Sequence, residues 1–226
     1  MVVLATKCYV RGDARVRTLD SLRAQVDDEL GDLDVDVEVG LRDDEFPSVT
    51  VSGPDETVAR NVLREAWGAV TPQARPGETG VGTLERWDRD GFVLDAGFDR
   101  DVRVSAGATG LGPGTPEQVR TRYGLVQHLP LSYVTEGESD TARLSDAERD
   151  RLYDWTRGPG RVNVNSATRS EVRATVNRAG HADDVVTVER LGLLEQSIVC
   201  AEGTDPPGLL ASVGDHLPAE LLCVVP

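Results

Sequence analysis

The sequence predicts an α+β protein made of three small modules. Three observations carry that expectation. Apolar residues recur at helical spacing in some segments and alternate in others. Two polar stretches, residues 71–79 and 136–144, divide the 226-residue chain into thirds. Hydrophobic content is 39% with only 4% aromatics, so any core must be built from Val, Leu and Ala, which suits several small cores.

Residues 1–70 are the first module. Val2 to Val10 reads as a strand. Leu19, Leu22, Val26 and Leu30 mark one face of a helix from Val16 to Leu30. Asp34 to Val39 alternates strictly and Ser48 to Ser52 continues that pattern, giving two half-buried strands. Gly53-Pro54-Asp55-Glu56 opens a second helix, with Pro in its first turn and acids near its positive end. The order βαββα is that of a ferredoxin-like or KH-like unit.

Residues 80–135 are rich in Gly and short strands. Gly82 to Trp87 and Gly91 to Gly97 predict a hairpin turning at Asp88 to Gly91, and Asp101 to Val104 a third strand. Thr115-Pro116-Glu117-Gln118 is a capping-box helix start, and Leu129 to Val134 returns as a strand. This order fits an OB- or S1-like barrel with an inserted helix. Residues 145–226 begin with two more capping boxes, Ser145 to Glu148 and Thr168 to Glu171. From Arg161 onward the order is βαββαβ, a ferredoxin-like pattern preceded by one helix.

Charge points to the solvent. Lys7 is the sole lysine, against 23 arginines and 39 acidic residues, for a net charge of -15. Short, strongly hydrated Asp outnumbers Glu. Arg persists where a fixed fork of donors is needed. At about 1 M salt the Debye length is ~3 Å, so such a surface barely repels itself. A salt-adapted, halophilic cytoplasmic protein is expected. No apolar stretch is long enough for a membrane span, and no secretory signal opens the chain. Cys8, Cys200 and Cys223 have no metal or disulfide spacing and read as small apolar residues in buried strands. No cofactor motif is present, and none is expected.

One segment departs from the acidic background. Arg149 to Arg178 holds seven arginines and three acids, a local excess of four positive charges. Within it Trp155, Arg157 and Arg161 flank a Gly-rich turn, and strand alternation places Arg161, Asn163 and Asn165 on one face. With Arg169 and Arg173 on the following helix, these residues offer stacking, phosphate and base-edge contacts to single-stranded RNA. The same residues would also serve as intrachain ion pairs and an ordinary polar sheet face. Gly203 to Gly208 could hold a phosphate at a helix start, but Asp205 reads better as that helix's own cap. His181, Asp183, Asp184 and Asp205 form the candidate site of an alternative, enzymatic reading: a nuclease-like or small-molecule hydrolase working between modules. No nucleophile elbow or metal spacing accompanies them, so the enzymatic reading stands second.

Gly82 to Gly97 resembles an S1-type RNA-binding domain, which would make Phe92 and Phe98 stacking aromatics; barrel core is the other role open to them. Taken whole, the chain resembles the archaeal family called domain of unknown function 2110. Thr6 to Gly12, Val49 to Gly68, Gly82 to Gly97, Tyr123 to Pro130 and Gly180 to Asp205 carry the likeness. It implies an archaeal cytosolic protein and assigns no activity. The expectation is an RNA-binding accessory factor of translation or RNA processing, partnered by RNA and by ribosomal or RNA-processing proteins. A ligand-free protein–protein adaptor is a third reading.

Overall fold

A computed structural model of the chain describes residues 1–73, 75–136 and 140–226. It is a mixed α+β structure with one closed barrel and two further sheets. The first part runs β1 (Val2–Val3), α1 (Gly12–Leu30), β2 (Asp36–Leu41), β3 (Pro47–Ser52) and α2 (Glu56–Trp67). Its sheet has the order β1-β3-β2, all antiparallel. Leu22, Val26 and Leu30 of α1, on the stripe read from the sequence, pack with Ala59 and Leu63 of α2 against Val49 and Val51; Val58 of α2, expected to face the core, is exposed. The first strand is far shorter than the expected Val2–Val10. Beyond Leu4 the chain leaves the sheet to carry Lys7 and Tyr9 into the centre of the molecule.

The barrel is β4 (Thr79–Asp88), β5 (Gly91–Asp95), β6 (Asp101–Ser105), β7 (Pro130–Glu136) and β8 (Thr141–Leu144), closed in the order β4-β5-β6-β8-β7. The β4–β5 hairpin turns where expected, with Asp88 opposite Gly91. Helix α3 (Pro116–Tyr123) lies between β6 and β7, and its Thr115/Gln118 capping box forms as read. The expected polar linker 136–144 is corrected in part. Thr141–Leu144 is the strand that closes the barrel, pairing parallel to β6 and antiparallel to β7, while residues 137–139 lie outside the described residues. Helix α4 (Asp146–Trp155) adds Leu152 and Trp155 to the barrel's core rather than to the sheet that follows it in sequence.

The last part is β9 (Arg161–Val164), α5 (Arg169–Arg178), β10 (Val185–Arg190), β11 (Gln196–Cys200), α6 (Pro206–Gly214) and β12 (Leu221–Val224). The antiparallel sheet order is β10-β11-β9-β12. Val162 and Val164 share a core with Val172, Val176, Leu209 and Val213 of α5 and α6. The turn after β10 leaves this unit: Leu193 and Leu194 complete the core of the first part. Each buried Leu contributes roughly 1.5–3 kcal/mol, so this insertion joins the first and last parts firmly. Cys200 is buried in its strand and Cys223 half-buried in β12, whereas Cys8 is buried outside any strand; all three are free thiols. No helix among the described residues is long and apolar enough to cross a membrane.

Candidate functional site

The polar face of β9 is not a free surface. Asn163 is fully buried, and its Nδ2 donates to the Gly124 carbonyl at 2.8 Å. Asn165 Nδ2 donates to the Gln127 carbonyl at 3.2 Å. Around them Glu220 accepts from Arg120 at 2.8 Å and from the Gln127 N–H at 2.7 Å. The strand is polar on this side because it docks on the barrel, whose exposed carbonyls need donors. Gly124 serves twice: its left-handed conformation ends α3, and a Cβ there would lie 2.9 Å from Asn163 Nδ2.

The expected contact residues therefore separate into two groups. Arg161 is buried, donates to Glu189 at 3.0 Å and to Ser197 at 3.1 Å, and lies 4.7 Å over the Trp155 ring. Burial pulls its pKa below the ordinary arginine value. Trp155 is buried, with Arg161 and Arg151 both over its ring, the latter at 5.1 Å, and so is closed to a base. Phe92 is fully buried in the barrel core. Phe98 is half-buried at a positive φ of 58°, and the Arg42 guanidinium covers it at 4.2 Å. Arg161, Asn163, Asn165, Phe92 and Trp155, expected as contact residues, are buried among intrachain partners, and Phe98 is half-buried beneath Arg42. Arg157, Arg169 and Arg173 are exposed.

Those three are unusual in this chain. Nineteen of the 23 arginines make a hydrogen bond or ion pair; among the described residues only Arg11, Arg157, Arg169 and Arg173 make neither. Arg157 lies over Tyr153 at 5.7 Å. Arg169 and Arg173 sit one turn apart on α5, their guanidiniums unspent. Both line a groove of about 700 Å³ between α1 and α5, with Ser21, Gln25, Ser170 and Asn177 as uncharged polar neighbours and Asp28 as the one acid. One helical turn of four residues rises ~6 Å, so the two cations present a short ladder along the groove. The Thr168/Glu171 capping box fixes the start of that helix.

A second concentration of chemistry lies where the three parts meet, and sequence reasoning missed it. Lys7 donates to Glu85 at 3.1 Å and to Asp95 at 2.9 Å. Burial alone would lower its pKa, but Asp95 and Glu85 together raise it above the ordinary lysine value. Burial likewise opposes ionisation of Glu85, yet His128 and Lys7 outweigh it and hold Glu85 at about 2. His128 has a positive φ of 66° and stacks on Tyr9 at 3.9 Å. The Tyr9 hydroxyl donates to Glu195 Oε1 at 2.7 Å and accepts from the Ser166 N–H at 2.8 Å. Glu195 is completely buried and burial pushes its pKa up to about 8, so it carries its proton at neutral pH. Its Oε2 has no hydrogen-bond partner among the described residues and lies so close to Gly192 that a Cβ there would push the carboxyl aside. The sequence did hold a signal: the sole lysine of the chain is the one whose compact ammonium fits between two carboxylates.

The His181 cluster is a local tie. His181 Nδ1 meets Asp184 at 2.7 Å and Nε2 meets Ser212 at 2.7 Å. That is the order of a proton relay, but Ser212 lies inside α6, where backbone N–H groups are spent in the helix and none is free to stabilise an oxyanion. Asp205 caps α6 through the Gly208 N–H, as read from the sequence. No group of three or more His, Cys, Asp or Glu among the described residues is placed to hold a metal.

Fold and site define a three-part α+β protein most of whose arginines are held by intrachain hydrogen bonds or ion pairs, with Arg169 and Arg173 left without either in a groove. Models of the DUF2110 N-terminal, central and C-terminal domains match residues 1–73, 74–156 and 159–225 in turn, and the chain belongs to the DUF2110 family. The central match ends after α4, in keeping with the packing of that helix on the barrel. A search of the curated proteins found no match.

Proposed function

We propose that this protein is an RNA-binding accessory factor of translation or RNA processing, holding the RNA backbone in the α1/α5 groove. The observation that carries the reading is that Arg169 and Arg173 make no hydrogen bond or ion pair among the described residues, in a chain where 19 of the 23 arginines make one. Phosphate contacts by guanidinium groups supply most non-specific nucleic-acid affinity. The barrel supports it further: the order β4-β5-β6-β8-β7, with a helix before the fourth strand, is that of an OB-type barrel, a frequent single-strand binder. The βαββαβ order of the last part and the βαββα order of the first support ferredoxin-like neighbours. A cytoplasmic, salt-rich setting goes with this reading, and the salt would demand that contacts be few and well placed.

The test is fluorescence anisotropy of labelled single-stranded RNA over a KCl series, comparing the native chain with Arg169→Ala/Arg173→Ala. Losing two phosphate contacts lowers the salt slope by about 1.4 and weakens binding at least tenfold at low salt. No binding by the native chain, or equal binding by the double variant, refutes the proposal.

A further inference from the structure

A crevice of about 230 Å³ opens where all three parts of the chain meet. Thr6 and Gly68 line it from the first part, Ser132 and Arg151 from the barrel and α4, and Arg190 and Gly192 from the last. Ligand sites favour such junctions. This one is smaller than the ~300–1,000 Å³ of drug-sized pockets, which limits its occupant to a small molecule.

Its two cations are held rigidly. Arg190 lies 3.7 Å over the Trp67 ring, with Nη1 donating to Glu29 at 3.0 Å and Nη2 to the Ala66 carbonyl at 3.1 Å. Arg151 lies over Trp155, with Nε and Nη2 donating to Glu148 and Nη2 also to the Pro130 carbonyl. Each guanidinium keeps one nitrogen without a partner among the described residues: Nε of Arg190 and Nη1 of Arg151. Neither nitrogen is buried, since neither is among the sealed orphan atoms. Glu148, the one acid lining the crevice, is already occupied: Arg151 takes one oxygen and the Ser132 N–H the other. Two fixed guanidiniums with unspent donors, on walls from different parts of the chain, match an anion with at least two oxygens.

We propose that this crevice binds a small oxyanion, phosphate or carboxylate, that bridges Arg151 and Arg190. Because these residues belong to different parts, the anion links the last part to the barrel and stabilises the assembled chain. The inference is independent of RNA binding, since neither arginine lines the α1/α5 groove.

The experiment is isothermal titration of the intact protein with inorganic phosphate and, separately, with succinate, at constant ionic strength in KCl, with thermal unfolding in parallel. Ala66 is exposed at the crevice mouth, so Ala66→Phe fills the space without removing a charge. Saturable heat with either anion, absent in Ala66→Phe, is expected, and which anion gives it names the source. A Tm rise of about 5 °C at ~100-fold excess over Kd should accompany it. Arg151→Gln should lose the heat while its far-ultraviolet spectrum stays native. No heat from either anion, or heat undiminished in Ala66→Phe, overturns the proposal.

Discussion

Strand β9 and helix α5 are consecutive elements of one arginine-rich segment, and they use their charge in opposite ways. Arg161 on β9 is enclosed by Glu189, Ser197 and Trp155. Arg169 and Arg173 on α5 face solvent with no partner. Local composition cannot tell them apart. What separates them is the barrel, which covers one side of the sheet and leaves the helices on the other side exposed. A run of like charge thus marks a binding surface only where the fold withholds intrachain acids from it.

The sharpest way to test this contrast between spent and unspent cations is at Lys7, the most enclosed of them. Lys7→Ala strands Glu85 and Asp95 at the centre of the molecule. Breaking a buried pair typically costs ~3–5 kcal/mol, and because both acids keep some water the expected loss is about 3 kcal/mol by urea denaturation. A loss below ~1 kcal/mol would mean that the cluster contributes little. Next comes the β9/α5 pair itself. Arg161→Ala should cost about 2 kcal/mol, through lost packing on Trp155 and an unpaired Glu189, and leave RNA affinity unchanged. Arg169→Ala should stay within about 0.5 kcal/mol of the native stability and weaken RNA binding. If both variants behaved alike in stability and in RNA affinity, the contrast would collapse.

Dependent on pH, and read as a slope instead of a single loss, is the pair Glu195 and Glu85. Glu195 has its folded pKa raised from 4.5 to about 8, so the folded chain holds a proton that the unfolded chain releases between those values. Its contribution is complete below 4.5 and lost as pH rises through about 8, at up to ~1.4 kcal/mol per pH unit. Glu85 runs the other way: held at about 2, it stabilises fully above 4.5 and fails as pH falls toward 2. Glu195→Gln should flatten the alkaline slope and leave the acid limb intact. An unaltered slope would show that the buried carboxyl is not its source.

Much of the architecture was legible because local rules were obeyed. The capping boxes at Thr115 and Thr168 form, and the hairpin turns at Asp88–Gly91. The element orders βαββα and βαββαβ also follow. Strand β8 was missed because it is four residues long and sits in a polar run, and its partners β6 and β7, not its own sequence, make it a strand. The site was less legible. Alternation put Arg161, Asn163 and Asn165 on one face but could not say that the barrel covers it. Phe92 and Trp155 looked like stacking platforms because sequence shows an aromatic without its surroundings. The Lys7 cluster was out of reach for a different reason: its partners lie 78 and 88 residues away, and no spacing links them.

Leu193 and Leu194 fill a hole in the core formed by the first part of the chain. That arrangement has a consequence for biosynthesis. The amino-terminal sheet and helices emerge from the ribosome with an apolar socket open, and the residues that plug it are translated much later, on the order of ten seconds at typical elongation rates. The nascent protein must therefore pass through an interval in which its first part is formed but unsealed. A fragment ending before Leu193 would never leave that interval, and its expected fate is to aggregate or to be held by a chaperone.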